Sequence, residues 1–143
     1  MKVVIMQGVP GSGKSHHVRT EMVGAHVVSA DHFFERLGRF DGSLLQKAHN
    51  ECLWRYTHTL MDATKLVVVD NTNTTQWEIA PYYQLALAFG YDVNIVSVEC
   101  DPNVAFHRGT HGVPLNKVMD MHNKIKDFVP PRHWRVMKVN GEA

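Results

Sequence analysis

The sequence predicts an α/β fold of three layers, with a mostly parallel five-stranded sheet covered by helices on both faces. Three observations carry this expectation. Apolar, strand-sized runs alternate with segments of helical spacing along all 143 residues, with no repeat, low-complexity tract or linker between them. Several runs are continuous, as in Leu66-Val67-Val68-Val69, the pattern of a parallel strand buried on both sides. A glycine-rich segment, Gly8-Val9-Pro10-Gly11-Ser12-Gly13-Lys14-Ser15, stands directly between the first strand run and the first helical segment.

Taken in order, strands are expected over residues 2–7, 26–29, 66–70, 92–98 and 134–139. The helix after the glycine-rich segment continues through Val18 and Met22. Leu45, Ala48, Cys52, Tyr56 and Leu60 recur at spacings of three and four, and so do Leu115, Val118, His122, Ile125 and Val129. Thr75 with Glu78 reads as a capping box, and Asp101 before Pro102 as an N-cap with proline at the first helical position. Pro81 has to occupy the first turn of its helix or kink it.

Length and composition restrict the function. A chain of 143 residues with 44% hydrophobic content has room for one domain, 1–143, with one good core. No N-terminal run is long enough for a signal peptide or membrane span, so an intracellular, cytoplasmic protein with no membrane partner is expected. Cys52 and Cys100 lack metal or redox spacing and read as buried small hydrophobes. The net charge is +1, but residues 1–100 carry 8 Lys/Arg against 10 Asp/Glu while residues 101–143 carry 7 against 4. This mildly basic C-terminal third permits a nucleic-acid partner without requiring one.

The glycine-rich segment matches a phosphate-binding loop in its required context. Gly8, Gly11 and Gly13, with Pro10 and Ser12 between them, let backbone N–H groups ring an anion, and the following helix turns its positive end toward the same point. Lys14 then reaches the β- and γ-phosphates of ATP and the Ser15 hydroxyl ligates Mg²⁺.

In a parallel sheet, ligands sit at the carboxyl ends of the strands, so the residues after each strand are the remaining candidates. After the second strand stands Asp31, placed to accept a proton from an attacking hydroxyl; capping the next helix is the alternative. Asp70 ends the third strand, where a carboxylate completes a Mg²⁺ shell or orients substrate. Asn71 and Asn73 are either turn formers or amides that hold a polar substrate. Arg108, followed by Gly109 and Gly112, is a candidate lid arginine that binds nucleotide and neutralises charge developing during phosphoryl transfer. His107 and His111 are four apart but lack an acidic partner motif, which argues against a zinc pair. His16, His32 and His49 lie near the expected site and are able to stack on or hydrogen-bond a substrate.

These motifs, together with Asp31-His32-Phe33-Phe34, Ala48-His49, Val69-Asp70-Asn71-Thr72-Asn73 with Trp77-Glu78, and Arg108-Gly109-Thr110-His111-Gly112-Val113-Pro114, resemble the polynucleotide-kinase-like P-loop kinases. That group includes phage polynucleotide 5′-kinases and small AAA-like and zeta-toxin-like kinase modules. The resemblance implies a P-loop kinase fold with a helical lid, and transfer of the ATP γ-phosphate to a nucleic-acid hydroxyl, usually the 5′-hydroxyl. It places Lys14 and Ser15 at the nucleotide and magnesium positions, Asp31 at the general base and Arg108 at the lid arginine. One departure concerns the substrate: phage-type enzymes carry a phosphate-gripping arginine where Phe34 stands here. Phe34 is then either a core residue or an aromatic platform for an acceptor base. Two other functions fit the same residues: phosphorylation of a hydroxymethyl pyrimidine within phage DNA, and a nucleotide-binding ATPase switch.

Overall fold

The structure, a computed structural model, describes residues 1–109 and 112–142. Its five strands are β1 (Lys2–Gln7), β2 (His26–Val28), β3 (Leu66–Asp70), β4 (Asp92–Glu99) and β5 (Val136–Asn140). They form one sheet in the order β2-β3-β1-β4-β5, and every pairing is parallel. The six α-helices among the described residues are α1 (Lys14–Glu21), α2 (Asp31–Leu37), α3 (Leu45–Met61), α4 (Gln76–Ala88), α5 (Pro102–Arg108) and α6 (Leu115–Lys126), with a short 3₁₀ helix over Gly42–Leu44.

Strand composition fixes this layering. Side chains alternate across a strand, yet consecutive residues Val67, Val68 and Val69 are all fully buried, so both faces of the sheet must be covered. On one face Val3, Ile5, Val67, Val69, Val93 and Ile95 pack against α3 and α4 through Cys52, Tyr56, Ile79 and Tyr83. On the other, Val4, Met6, Val68, Val96 and Val98 pack against Val18 of α1. A smaller cluster of Val9, Cys100, Ala105 and Val118 seats α5 and α6 beneath the phosphate loop. Both cysteines are free and buried. No helix among the described residues is long and apolar enough to cross a membrane.

Several local expectations are met in detail. Thr75 and Glu78 form the reciprocal capping box, and Asp101 accepts from the Asn103 amide ahead of Pro102 at the first helical turn. Of the two places open to Pro81, the structure takes the one beyond the first turn of α4, where the Trp77 carbonyl loses its usual helical donor. Others are corrected. The α6 stripe stops before Val129, because the helix ends at Lys126 and Pro130 and Pro131 follow; Val129 is left 81% exposed. β5 begins two residues later than expected. Trp134 instead closes a turn onto the Pro131 carbonyl and stacks on Tyr83 at 4.8 Å.

Candidate active site

The parallel register brings the ends of β1 and β3 together, because Met6 pairs with Asp70. Everything that follows these two strands therefore shares one edge of the sheet. The phosphate loop leaves β1 with the Gly8 amide donating to the Thr72 carbonyl at 3.0 Å, and Ser12 N–H closes a turn on the Val9 carbonyl at 3.1 Å. Gly13, at the N-cap of α1, has φ 105°, a left-handed conformation that side chains rarely adopt. Gly11 is also left-handed, and a Cβ there would overlap the Ala105 carbonyl of α5. The loop is thus shaped by helix α5 as well as by its own glycines.

Lys14 is half-buried, and its ammonium donates to the Gly8 and Val9 carbonyls at 2.9 and 3.0 Å. Burial pulls its pKa below the ordinary lysine value, and the carboxylates of Asp70 and Asp31 oppose that shift. Ser15 Oγ donates to Asp70 Oδ2 at 3.0 Å, joining the first turn of α1 to the end of β3. Two hard oxygen donors side by side fit Mg²⁺, which takes few protein ligands and completes its shell with phosphate oxygens and water. Among the described residues no group of three or more His, Cys, Asp or Glu could hold a metal by itself. The Ser12 hydroxyl is fully buried inside the loop and has no hydrogen-bond partner.

Asp31 is the first residue of α2, and its side chain is exposed at the same edge. The N-cap is Ala30, with no side-chain cap, so the capping alternative for Asp31 falls away. Asn71 holds this helix start in place: its Oδ1 accepts from the Ala30 amide at 2.9 Å, and its Nδ2 faces the Cys52 sulfur at 3.6 Å. Asn73 has φ 49°, and its Nδ2 donates to the Met6 carbonyl at 2.7 Å, while Gln7 Nε2 donates to the Asn73 carbonyl. Both side chains are buried and bonded within the scaffold, Asn71 to the Ala30 amide and the Cys52 sulfur and Asn73 to the Met6 carbonyl. The geometry corrects their substrate-binding role and keeps the turn-forming one.

Phe34 is corrected in the same way. It is 8% exposed, packed in the main core with Ala48 and Cys52 and edge-on to Phe33 at 5.3 Å. A base has no access to that ring. His49 is half-buried on α3 beside Ala48, and His107 uses its own Nδ1 on the Asn103 carbonyl, 2.7 Å away. His111 lies outside the described residues. Pro10 borders a cleft of about 330 Å³ between α5 and α6, lined by Phe106, Val113 and Val118.

Arg108 ends α5 and donates from Nη1 to the Gly141 carbonyl at 2.7 Å. Gly141 was not legible as a site residue. Its amide donates to the Glu99 carbonyl, and its Cα packs so tightly on the Ser12 carbonyl that a Cβ would overlap it. The segment after β5 therefore backs the phosphate loop and anchors the arginine at its flank. The only sequence signal was the Asn140-Gly141 pair, a turn former at a strand end. Gln7 and Thr72, which tie the loop to β3 and the turn after it, carried no signal beyond their position.

A sequence-family comparison agrees with this arrangement: the model described as "AAA domain" matches residues 3–111. The chain belongs to the AAA domain family. Among curated proteins, human NEDD4-binding protein 2 is similar to this AAA domain, 29% identical over 136 residues; the match covers 89% of the chain and 8% of that much longer protein. Among solved structures, a gluconokinase from Sinorhizobium meliloti 1021 superposes with a TM-score of 0.63 at 16% identity, covering 99% of this chain and 83% of that one. The Pnkp1/Rnl/Hen1 RNA repair complex contains a chain that superposes with a TM-score of 0.69 at 16% identity, covering 87% and 44%. The fold of this AAA domain is the P-loop kinase-like α/β fold, which implies nucleotide binding.

Proposed function

We propose that this AAA domain is an ATP- and Mg²⁺-dependent kinase that transfers the γ-phosphate to a hydroxyl of a nucleic acid, with a polynucleotide 5′-hydroxyl as acceptor. The observation that carries the reading is the placement of Asp31. An exposed carboxylate in the first turn of α2, just past the carboxyl end of β2 and uncommitted to helix capping, is what an alcohol acceptor needs and a nucleotide switch does not. The likeness to a chain of an RNA repair complex and the resemblance in motifs support a nucleic-acid acceptor over a small sugar.

The chain's own residues then divide the work. Loop amides receive the phosphates, and Lys14 exchanges its bonds to Gly8 and Val9 for the incoming anion. Ser15 and Asp70 would hold Mg²⁺, which supplies charge neutralisation at the phosphate oxygens. Asp31 orients the acceptor hydroxyl and takes its proton as the new O–P bond forms and the bond to the leaving ADP oxygen breaks. Arg108 adds positive charge at the loop's flank.

Labelled ATP offered with 5′-hydroxyl oligonucleotides, end-blocked DNA containing hydroxymethyl pyrimidines, free nucleosides and gluconate tests the reading. Label on the 5′-hydroxyl ends is the expected result. Label only on another acceptor, or ATP hydrolysis without any acceptor, overturns it.

A further inference from the structure

We infer that the groove along the free edge of β2 is the track for the acceptor strand, with Trp54 as the platform on which one of its bases stacks. This rests on the nucleic-acid kinase reading and adds to it where the strand runs. β2 is a three-residue edge strand, and beside it α2 and α3 enclose a groove of about 610 Å³ whose lining includes His26, His32, Arg36, Trp54, Arg55 and His58. That size lies within the ~300 to 1,000 Å³ usual for organic-ligand sites.

The groove's lining reaches as far as His32, the residue that directly follows Asp31 in the first turn of α2. It also supplies the aromatic group that Phe34, buried in the core, cannot. Trp54 is 61% exposed on α3, and its ring rests 4.3 Å from that of His58, which steadies a large apolar surface open to solvent. Base stacking on such a ring tolerates any sequence, since every base has a π-face. Arg36 and Arg55 both pair with Glu51, so two guanidinium groups share one carboxylate and keep donors available for a backbone phosphate. With Glu51, the carboxylates Glu35 and Asp62 on the same walls outnumber the two arginines by one, so charge does not draw the strand into the groove. Stacking therefore outweighs charge here, which suits an unpaired strand with accessible bases over a duplex. Neutralising one or two phosphates predicts a shallow salt dependence, a log–log slope of about −0.7 to −1.4.

The test compares wild type, Trp54→Ala and Trp54→Phe in binding and phosphorylation of a single-stranded 5′-hydroxyl oligonucleotide of about a dozen residues, with a 5′-hydroxyl dinucleotide as short acceptor. Loss of the indole should weaken oligonucleotide binding and raise its KM by about tenfold to a hundredfold, with kcat held and the dinucleotide less affected. Phenylalanine should restore most of the loss. Equal oligonucleotide KM and affinity in all three proteins overturns the groove while leaving the kinase reading in place. Trp54-dependent binding of an oligonucleotide that is never phosphorylated keeps the groove and overturns the kinase reading. Absence of oligonucleotide binding by wild type overturns the groove.

Discussion

Ser15 Oγ donates to Asp70 Oδ2 at 3.0 Å across 55 residues of sequence, so the first turn of α1 and the last residue of β3 meet at one point. The bond exists because β1 and β3 are adjacent parallel strands with Met6 opposite Asp70, which aligns whatever follows them. If this pair holds Mg²⁺, Ser15→Ala and Asp70→Asn should each raise the Mg²⁺ concentration needed for half-maximal transfer. Their effects should also be non-additive, since both act through one ion. A double-mutant cycle in Mg²⁺ titrations measures this, and strict additivity would contradict a shared ion.

Lys14→Ala should abolish transfer and weaken ATP binding, because its ammonium follows the phosphate charge. Burial lowers the Lys14 pKa while Asp70 and Asp31 raise it, so the protonated form is lost at a pH below that of an ordinary lysine. ATP affinity should accordingly decline as pH rises through that lowered pKa. In Asp70→Asn, which removes the larger supporting charge, the decline should move to still lower pH. Calorimetric titration at stepped alkaline pH follows both curves.

Asp31→Asn should keep the fold and the ATP affinity, because Ala30 occupies the N-cap, while transfer falls by ~10² to 10⁴. Comparison of melting temperature, ATP dissociation constant and single-turnover rate separates these outcomes. Unchanged turnover would remove Asp31 from the proton path.

Arg108 and Gly141 form the second relationship that a substitution can probe. Arg108→Ala should lower turnover more than it raises KM for ATP, by up to ~10³ on the scale of arginine fingers. Gly141→Ala places a Cβ against the Ser12 carbonyl and should reach the same loop from behind, weakening ATP binding. Steady-state kinetics with ATP varied distinguish the two patterns.

Phe34→Ala should destabilise the fold by ~3 to 5 kcal/mol and depress every activity together, as expected of a large side chain removed from a packed core. Thermal or denaturant unfolding gives the loss directly. A selective rise in acceptor KM with unchanged stability would return Phe34 to the acceptor site.

The sequence alone determined the layered α/β fold, the phosphate loop with Lys14 and Ser15, and the positions of Asp31 and Asp70 after their strands. Each of these follows from local rules: strand periodicity, glycine conformational freedom, and the fact that parallel strands all end at one edge. Tertiary structure decided the rest. Phe34, Asn71 and Asn73 were ambiguous because an aromatic ring or an amide near a site serves packing and binding equally well in a one-dimensional reading. Only burial, and hydrogen bonds to Ala30 and Met6 from far along the chain, assigned them to the scaffold. The role of Gly141 was invisible for the same reason. Its packing on Ser12 and its hold on Arg108 depend on β5 being the neighbour of β4, a long-range pairing that no local pattern encodes.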